Sequence, residues 1–331
     1  MIIGTRGSKL AILQTEKVCE RLKEAGLEHE LTIRTVRSLG DAITDRGLYE
    51  MPEKGVFVKK LDMLLLEGKI DIAVHSMKDI PLERDERLET SAVLPRDSPY
   101  DALVSKYRLE QMPEGAVIGT SSVRRKFQFL NYMDARQTNV RIKDIRGNVD
   151  TRIEKFRKGE YDGVILAEAG FERLGLDIDY ERLDCDPFVP SPNQGIIAVV
   201  TRKGSKESEI LSKIDDESTR IEAEVENEVL KVIGGGCSLP VGVHAHTRTH
   251  GKESGDKIDL SVYVHAAAGA DAGGSREDYI LEKCVLSRYK DKDKDKRLEE
   301  ARNFTQNLAQ QRFLGFSQPQ NAENKGTGHD C

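Results

Sequence analysis

Residues 71–81 read DIAVHSMKDIP. Ile72, Ala73 and Val74 form a short apolar run of the kind that sits inside a parallel sheet, and Pro81 then stops regular structure. Lys78 and Asp79 therefore fall just past the C-terminal end of a strand. In open α/β sheets that edge is where ligands bind, so an aspartate there is a candidate reagent as well as a candidate surface charge. The segments on either side decide between the two.

Toward the N-terminus, MIIGTRGSKLAILQTEKVCERLKEAG (1–26) reads as a strand, a turn and a helix ending at Gly26, with Leu10, Leu13, Val18 and Leu22 near helical period. ELTIRTV (30–36) alternates like a strand, and VFVKKLDMLLLEG (56–68) reads as a helix closed by Gly68. The order up to residue 76 is thus β, α, β, α, β. PRDSPY (95–100) is rich in turn residues and marks a crossing into a second unit. There the pattern restarts, with strand and helix in AVIGTSSVRRKFQFLNYM (116–133), in VRIKDIRGNVDTRIEKFRKGEY (140–161) and in DGVILAEAGFERLGL (162–176).

PFVPSPNQG (187–195) leads into an apolar strand, IIAVV (196–200), which is expected to return the chain to the first unit. Two domains crossed in this way enclose a cleft. The expected fold is α/β, with two α/β domains around that cleft, 1–94 with 195–212 and 95–194, and a smaller C-terminal α+β domain at 213–313. In that last unit a charged helix precedes GGGC (234–237) and the strands VGVHAH (241–246) and IDLSVYVHA (258–266). YKDKDKDKR (289–297) is a solvated turn or the start of a helix, and 314–331 is expected to be a disordered tail.

The chain has 331 residues, 38% hydrophobic and 33% charged, with a formal net charge of −6, so its overall balance recruits neither nucleic acid nor acidic lipid. Any anion site must be local. Five cysteines, Cys19, Cys185, Cys237, Cys284 and Cys331, are odd in number and never in CxxC spacing, which fits a reducing, cytoplasmic setting better than a disulfide framework or a zinc module. No apolar run is long enough to span a membrane, and a cleavable presequence would have to lie inside the first strand and helix.

Arginines recur at strand ends: Arg6 after MIIG, Arg124 and Arg125 after GTSS, Arg146 after VRIKDI, and Arg152 one turn into the next helix. The GTSS turn adds backbone N–H groups and the hydroxyls of Thr120, Ser121 and Ser122 at a helix N-terminus, and Asn148 is placed to cap the next helix. Such a set suits a ligand with several carboxylates or phosphates. No GxxxxGK[ST] is present, which argues against nucleotide phosphate. RRKFQF (124–129) could serve nucleic acid, but its phenylalanines, two apart, do not share a helix face. Three glycines before Cys237 leave its thiol reachable by something large, although composition alone favours an inert cysteine. His244, His246 and His250 could hold a metal, but no nearby Cys or carboxylate completes a set.

With these residues assembled, the chain resembles the hydroxymethylbilane synthase, or porphobilinogen deaminase, family. The resemblance rests on HSMKDIP (75–81), GTSSVRR (119–125), IRGNVDTR (145–152), ILAEAGFERLG (165–175) and GGGCSLPVG (234–242), which occur in the family's order and approximate spacing. It implies two domains related to periplasmic binding proteins and a third bearing a dipyrromethane cofactor, bound by a thioether that falls here on Cys237. It implies condensation of porphobilinogen units with release of ammonia, followed by hydrolysis to a linear tetrapyrrole. Asp79, assisted by Lys78, would be catalytic. Arg124, Arg125, Lys78, Ser76 and the hydroxyls of Thr120, Ser121 and Ser122 would hold cofactor. Arg6, Arg146, Arg152 and Arg173 would take substrate carboxylates, with Ser8, Gln14 and Asn148 supplying neutral hydrogen bonds and Phe57 covering the rings. Implied partners are porphobilinogen and a next enzyme, uroporphyrinogen-III synthase, with the chain itself a monomer.

The sequence departs from the family at Asn193, where glycine is usual, near Glu50, where only Lys54 offers the common loop lysine, and after about Val264. A non-catalytic polycarboxylate-binding protein with the same cleft would explain the arginines, but has no use for a thiol on a glycine-rich loop.

Overall fold

The run at 72–74 is a strand buried on both faces, and the elements around it follow from that. The computed structural model describes residues 1–28, 30–36, 56–233, 240–249, 257–267, 279–290 and 294–312. The first unit comprises β1 (Ile2–Arg6), α1 (Lys9–Glu24), β2 (Thr32–Val36), α2 (Val56–Leu66), β3 (Ile72–Ser76) and β4 (Leu88–Val93). The second follows as β5 (Asp101–Ser105), β6 (Val117–Gly119), α3 (Val123–Ala135), β7 (Arg141–Lys143), α4 (Val149–Arg157), β8 (Gly163–Ala167), α5 (Glu168–Leu174) and β9 (Glu181–Leu183). Then come β10 (Ile197–Arg202), α6 (Lys206–Leu211), α7 (Glu217–Ile233), β11 (Gly242–Thr249), β12 (Lys257–Ala267), β13 (Tyr279–Lys290) and α8 (Lys294–Arg312).

Among the described residues the strands form three sheets, ordered β2-β1-β3-β10-β4, β7-β6-β8-β5-β9 and β11-β12-β13. In the first, Ile72 and Val74 pack with Ile3 and with Val18 and Leu22 of α1, while Ala73 faces Leu61 and Leu65 of α2. Burial on both faces is why β3 reads as a continuous apolar run rather than an alternating one. The sheet is not purely parallel, as expected from that run, but mixed: β3 runs parallel to β1 and antiparallel to β10. The cause is topological. No helical crossover joins β3 to β10, which arrives from the second unit and is free of the parallel constraint. The second sheet repeats the plan, with β6 parallel to β7 and β8, and β5 antiparallel to β8.

Two crossing segments, 94–100 and 190–196, connect the units and run side by side, Asp97 N donating to Gly195 O at 3.1 Å and Leu94 N to the carbonyl of Ile197, the first residue of β10, at 3.0 Å. Gly195 has φ +89°, and a Cβ there would stand 2.5 Å from the Asp97 carbonyl oxygen, so the close approach requires glycine. Asn193 has φ +61°. That left-handed backbone favours glycine but is tolerated by asparagine, which accounts for the departure at this position.

The third sheet is covered by α7 and α8 around Val225, Val229, Val243, Val262 and Ala301. β12 and β13 pair antiparallel as far as Ala267 opposite Tyr279. The charged 289–297 stretch leads into α8, and 313–331 lie outside the described residues.

A buried carboxylate ties α7 to the crossing segments. Glu226 accepts from Arg96 Nη1 at 2.7 Å, from the Asn193 amide at 2.5 Å and from the Ala245 amide at 2.8 Å. Burial opposes its ionisation, but Arg96 outweighs that and holds the carboxyl below its ordinary range. Glu226→Ala is expected to destabilise the protein by about 3 kcal/mol, the lower end for breaking a buried pair, because Glu222 still faces Arg96. Denaturant titration measures this, and a loss below about 1 kcal/mol would contradict it.

Candidate active site

Past β3 the chain makes one tight turn, Met77–Asp79. Met77 is buried against Val93, Ile196 and Ala198, and this anchor leaves Asp79 exposed in the cleft between the first two sheets. Of the residues expected at the site, the structure brings Arg6, Ser8, Gln14, Ser76, Lys78, Asp79, Arg125, Asn148, Arg152 and Arg173 to the wall of one cleft. Arg124, Arg146, Thr120, Ser121 and Ser122 lie outside that wall. Cys237, Glu50, Lys54 and His250 lie outside the described residues, as does the side chain of Phe57 on α2.

The neutral groups are held in place locally. Ser8 caps α1 by accepting from the Ala11 amide at 3.3 Å. The Gln14 amide and the Ser76 hydroxyl bond to each other at 2.9 Å, linking α1 to the end of β3. Asn148 stands at the N-terminus of α4 but, contrary to expectation, makes no capping bond through its side chain. Its backbone has the extended conformation usual for a cap, and the residue lines the cleft. The GTSS hydroxyls mostly stabilise their own turn: Thr120 Oγ1 accepts from the Ser122 amide, Ser121 Oγ bonds both the amide and the carbonyl of Ile145, and Ser122 Oγ caps α3.

The adjacent arginines are both buried, but α3 brings them to different oxygens of Asp101 and only Arg125 to the cleft wall. Arg124 Nη1 donates to Asp101 Oδ2 at 2.7 Å, to the Val189 carbonyl at 2.9 Å and to Gln128 Oε1 at 3.0 Å, all within the interior. Arg125 donates to Asp101 Oδ1 through Nη2 at 2.8 Å and Nε at 3.0 Å, and borders the cleft. Burial alone would raise the Asp101 carboxyl, but Arg124 and Arg125 outweigh it and hold it well below the usual range. Arg173 is similarly engaged, donating to Asp97 Oδ2 at 2.7 Å and to the Gly195 carbonyl at 2.6 Å, while Lys17 reaches the other oxygen of Asp97 at 2.6 Å. Its guanidinium thereby ties α5 to the crossing segments.

Two other cations of the wall, Lys78 and Arg152, are held below their ordinary range, by burial first and by neighbouring guanidinium groups second. Burial pushes the Lys78 ammonium down to about 8, and Arg125 adds to the fall. Burial likewise brings Arg152 down to about 10, with Arg125 and Arg146 adding repulsion, although its Nε donates to the Gly147 carbonyl at 2.8 Å. Cations gathered at such cost are stabilised by anions placed among them, and planar guanidinium groups match carboxylates in particular.

Three wall or near-wall residues escaped the sequence reading. His75 precedes Ser76 on β3 and is buried, its Nε2 has no hydrogen-bond partner, and burial with Arg84 and Arg6 lowers it to about 3, so it is neutral. Asp101 opens β5 and organises both arginines. Gln194, in the 187–195 segment that leads into β10, accepts from Lys78 Nζ at 3.2 Å and from Arg125 Nη2 at 3.3 Å. A strand-end histidine and a glutamine in a turn carry no periodic signal, and only the fold brings them to the cleft. Away from the cleft, His244 and His246 face glutamates, with Nδ1 3.5 Å from Glu226 and 3.6 Å from Glu222 respectively.

A family model described as porphobilinogen deaminase, dipyromethane cofactor binding domain, matches residues 1–210. A relative named probable porphobilinogen deaminase from Methanococcoides burtonii is 44% identical over 293 residues, 88% of this chain and 90% of the relative. Proteins of the same name from Archaeoglobus fulgidus and Methanocella arvoryzae are 48% and 47% identical, covering 75% and 86% of this chain and 84% and 90% of theirs. A solved periplasmic binding protein from Brucella ovis with glutathione bound is more loosely similar, at 12% identity and a TM-score of 0.38, covering 71% of this chain and 68% of that one. With a family model matching more than half its length and relatives at this identity, the chain belongs to the porphobilinogen deaminase family.

Proposed function

We propose that the chain condenses four porphobilinogen molecules head to tail, releasing ammonia at each addition and hydrolysing off hydroxymethylbilane, with Asp79 as the catalytic carboxylate. It is a transferase of tetrapyrrole biosynthesis with a dipyrromethane cofactor. The single observation that carries the assignment of Asp79 is its position: an exposed carboxylate on a tight turn, facing a cleft otherwise bordered by Lys78, Arg125 and Arg152. The rival reading, a non-catalytic polycarboxylate binder, is not favoured by the family match.

The cofactor suits this donor set. Each pyrrole brings an acetate and a propionate, and the wall offers guanidinium groups and an ammonium at matching density. Bound dipyrromethane supplies the pyrrole carbon to which the first substrate is joined. Cys237 is its attachment point, Arg125 and Lys78 hold its carboxylates, and Arg124 acts from behind by fixing Asp101. Ser76 is within the same wall, and Thr120, Ser121 and Ser122 keep the α3 turn in shape. For the substrate, Arg6 and Arg152 take carboxylates from the cleft wall and Arg146, near enough to Arg152 to repel it, takes one from just beyond that wall; Ser8, Gln14 and Asn148 orient the ring edges, and Phe57 covers the ring. Arg173 holds the crossing segments in register.

Loss of ammonia from the aminomethyl arm leaves positive charge shared with the pyrrole nitrogen. Asp79 accepts that N–H and stabilises the charge as it develops. The partition into 1–94 with 195–212, 95–194 and 213–313 is part of this reading, as are a cytoplasmic monomer and uroporphyrinogen-III synthase as consumer of the product. Their support is the chemistry of the family. Among the described residues no helix is long and apolar enough to cross a membrane.

Arg152→Leu is expected to stall elongation, with partly extended species accumulating and turnover falling roughly 10- to 100-fold, the equivalent of about 1.5–3 kcal/mol for a charge-assisted bond. Mass spectrometry of the enzyme during turnover reads this directly. An unaltered ladder of intermediates would exclude Arg152 from substrate binding.

A further inference from the structure

We infer that Gln194 is a positioning residue for this reaction: its side-chain amide holds Lys78 and Arg125 on one oxygen beside Asp79 and ties them to the start of the second sheet. The inference rests on the reading of Asp79 and Lys78 given above. Gln194 is 1% exposed, on the crossing segment between the two units. Its Oε1 accepts from Lys78 Nζ at 3.2 Å and from Arg125 Nη2 at 3.3 Å. Its Nε2 donates to the Pro99 carbonyl at 2.8 Å, to the Tyr100 carbonyl at 3.2 Å and to Asp101 Oδ1 at 2.9 Å.

This environment fixes both the orientation and the type of residue. A flipped amide would set its NH₂ against two cations and its oxygen against two carbonyls and a carboxylate. Glutamate would oppose Asp101 and the carbonyls with a second negative charge. Methionine would fill the space but give Lys78 and Arg125 nothing to share. Only a neutral group that both donates and accepts satisfies the two sides.

The functional consequence follows from where the partners sit. Lys78 and Asp79 belong to the turn after β3, and Arg125 to the first turn of α3, so the amide, itself in the cleft wall, links a group of the first unit to one of the second. Without the shared oxygen two like charges repel, and the carboxylate-binding groups of the second unit shift relative to Asp79. Catalytic geometry of this kind tolerates little misplacement.

The test compares Gln194→Met and Gln194→Glu with the parent, each as full-length enzyme. Turnover and KM are measured, and Lys78 is titrated by acylation at a series of pH values, quantified on its peptide by mass spectrometry. Lys78 is faced by Arg125, Asp79, Asp101 and Arg124, all unchanged in both variants. Because an accepted hydrogen bond favours the charged ammonium, Gln194→Met is expected to lower the Lys78 midpoint by about half a pH unit or more, and Gln194→Glu to raise it. Gln194→Met is also expected to reduce kcat about tenfold or more, with a smaller change in KM. Midpoints that stay put or move in the same direction overturn the inference, as does parental kcat in both variants. Should Gln194→Met fail to fold, the rise in Gln194→Glu decides alone. Failure of the underlying reading is distinguishable, since it shows as normal turnover in Asp79→Asn while the Lys78 midpoints still move apart.

Discussion

Asp79→Asn leaves the fold and the attached cofactor in place and lowers turnover by about 10²–10³-fold, the usual loss when a preorganised charge-stabilising group is removed. Asparagine keeps the shape of the side chain, and Asp79 is exposed on its turn, so the substitution disturbs no buried packing. What it removes is the negative charge. The step that needs that charge is departure of ammonia, when positive charge spreads onto the pyrrole nitrogen. Asparagine can still accept the pyrrole N–H, but a neutral amide stabilises a cation far less than a carboxylate does. Single-turnover ammonia release is therefore the measurement to make, with intact mass confirming that the cofactor is still attached. Ammonia release within about threefold of the parent would remove Asp79 from the chemistry.

Cys237→Ala abolishes covalent attachment: the denatured protein shows the mass of the bare chain, where the parent carries an excess matching two condensed pyrroles, and activity is lost with it. The expectation follows from where the thiols lie. Cys19 is on the buried face of α1, and burial pushes its thiol up, which suppresses the thiolate form that reacts. Cys185 is half-buried just beyond β9. Cys237 instead follows the end of α7 at Ile233 by way of three glycines. The same helix is bolted to the crossing segments through Glu226 and Arg96, so its C-terminal end has a defined origin relative to the cleft. Normal attachment in Cys237→Ala would move the cofactor to another residue. A bare parent chain is resolved by adding porphobilinogen, which then builds the cofactor on the parent and not on the variant.

Much of this was legible in the linear chain because burial leaves a local trace. The apolar run 72–74 announced a strand covered on both faces, the Pro81 stop announced its end, and Asp79 fell between them. The run 196–200 likewise carried enough apolar character to read as a strand, and β10 does join the first sheet beside β3. Helices such as α1 showed their inward face through residues spaced near one turn, and Val18 and Leu22 are indeed in the core. These features depend on whether a residue is buried, which its own chemistry and spacing reveal.

The choice of partner is not encoded that way. Arg124 and Arg125 are neighbours of one type, yet Arg124 is committed to the interior and Arg125 borders the cleft, because Asp101 arrives between them from a strand more than twenty residues away in sequence. Arg173 is implied by the family resemblance as a further carboxylate ligand, but Asp97 and the Gly195 carbonyl occupy it. Asn148 sits at a capping position and does not cap, and Gln194 looks like a loop residue until the crossing brings Lys78 and Arg125 to it. The sequence by itself determined the α/β units, the strand end that presents Asp79 and the supply of cations, since each follows from local periodicity and residue type. Only the tertiary structure decided which cations face the cleft and which are neutralised within it, because that depends on long-range pairings whose partners are set by how the chain crosses between its two sheets.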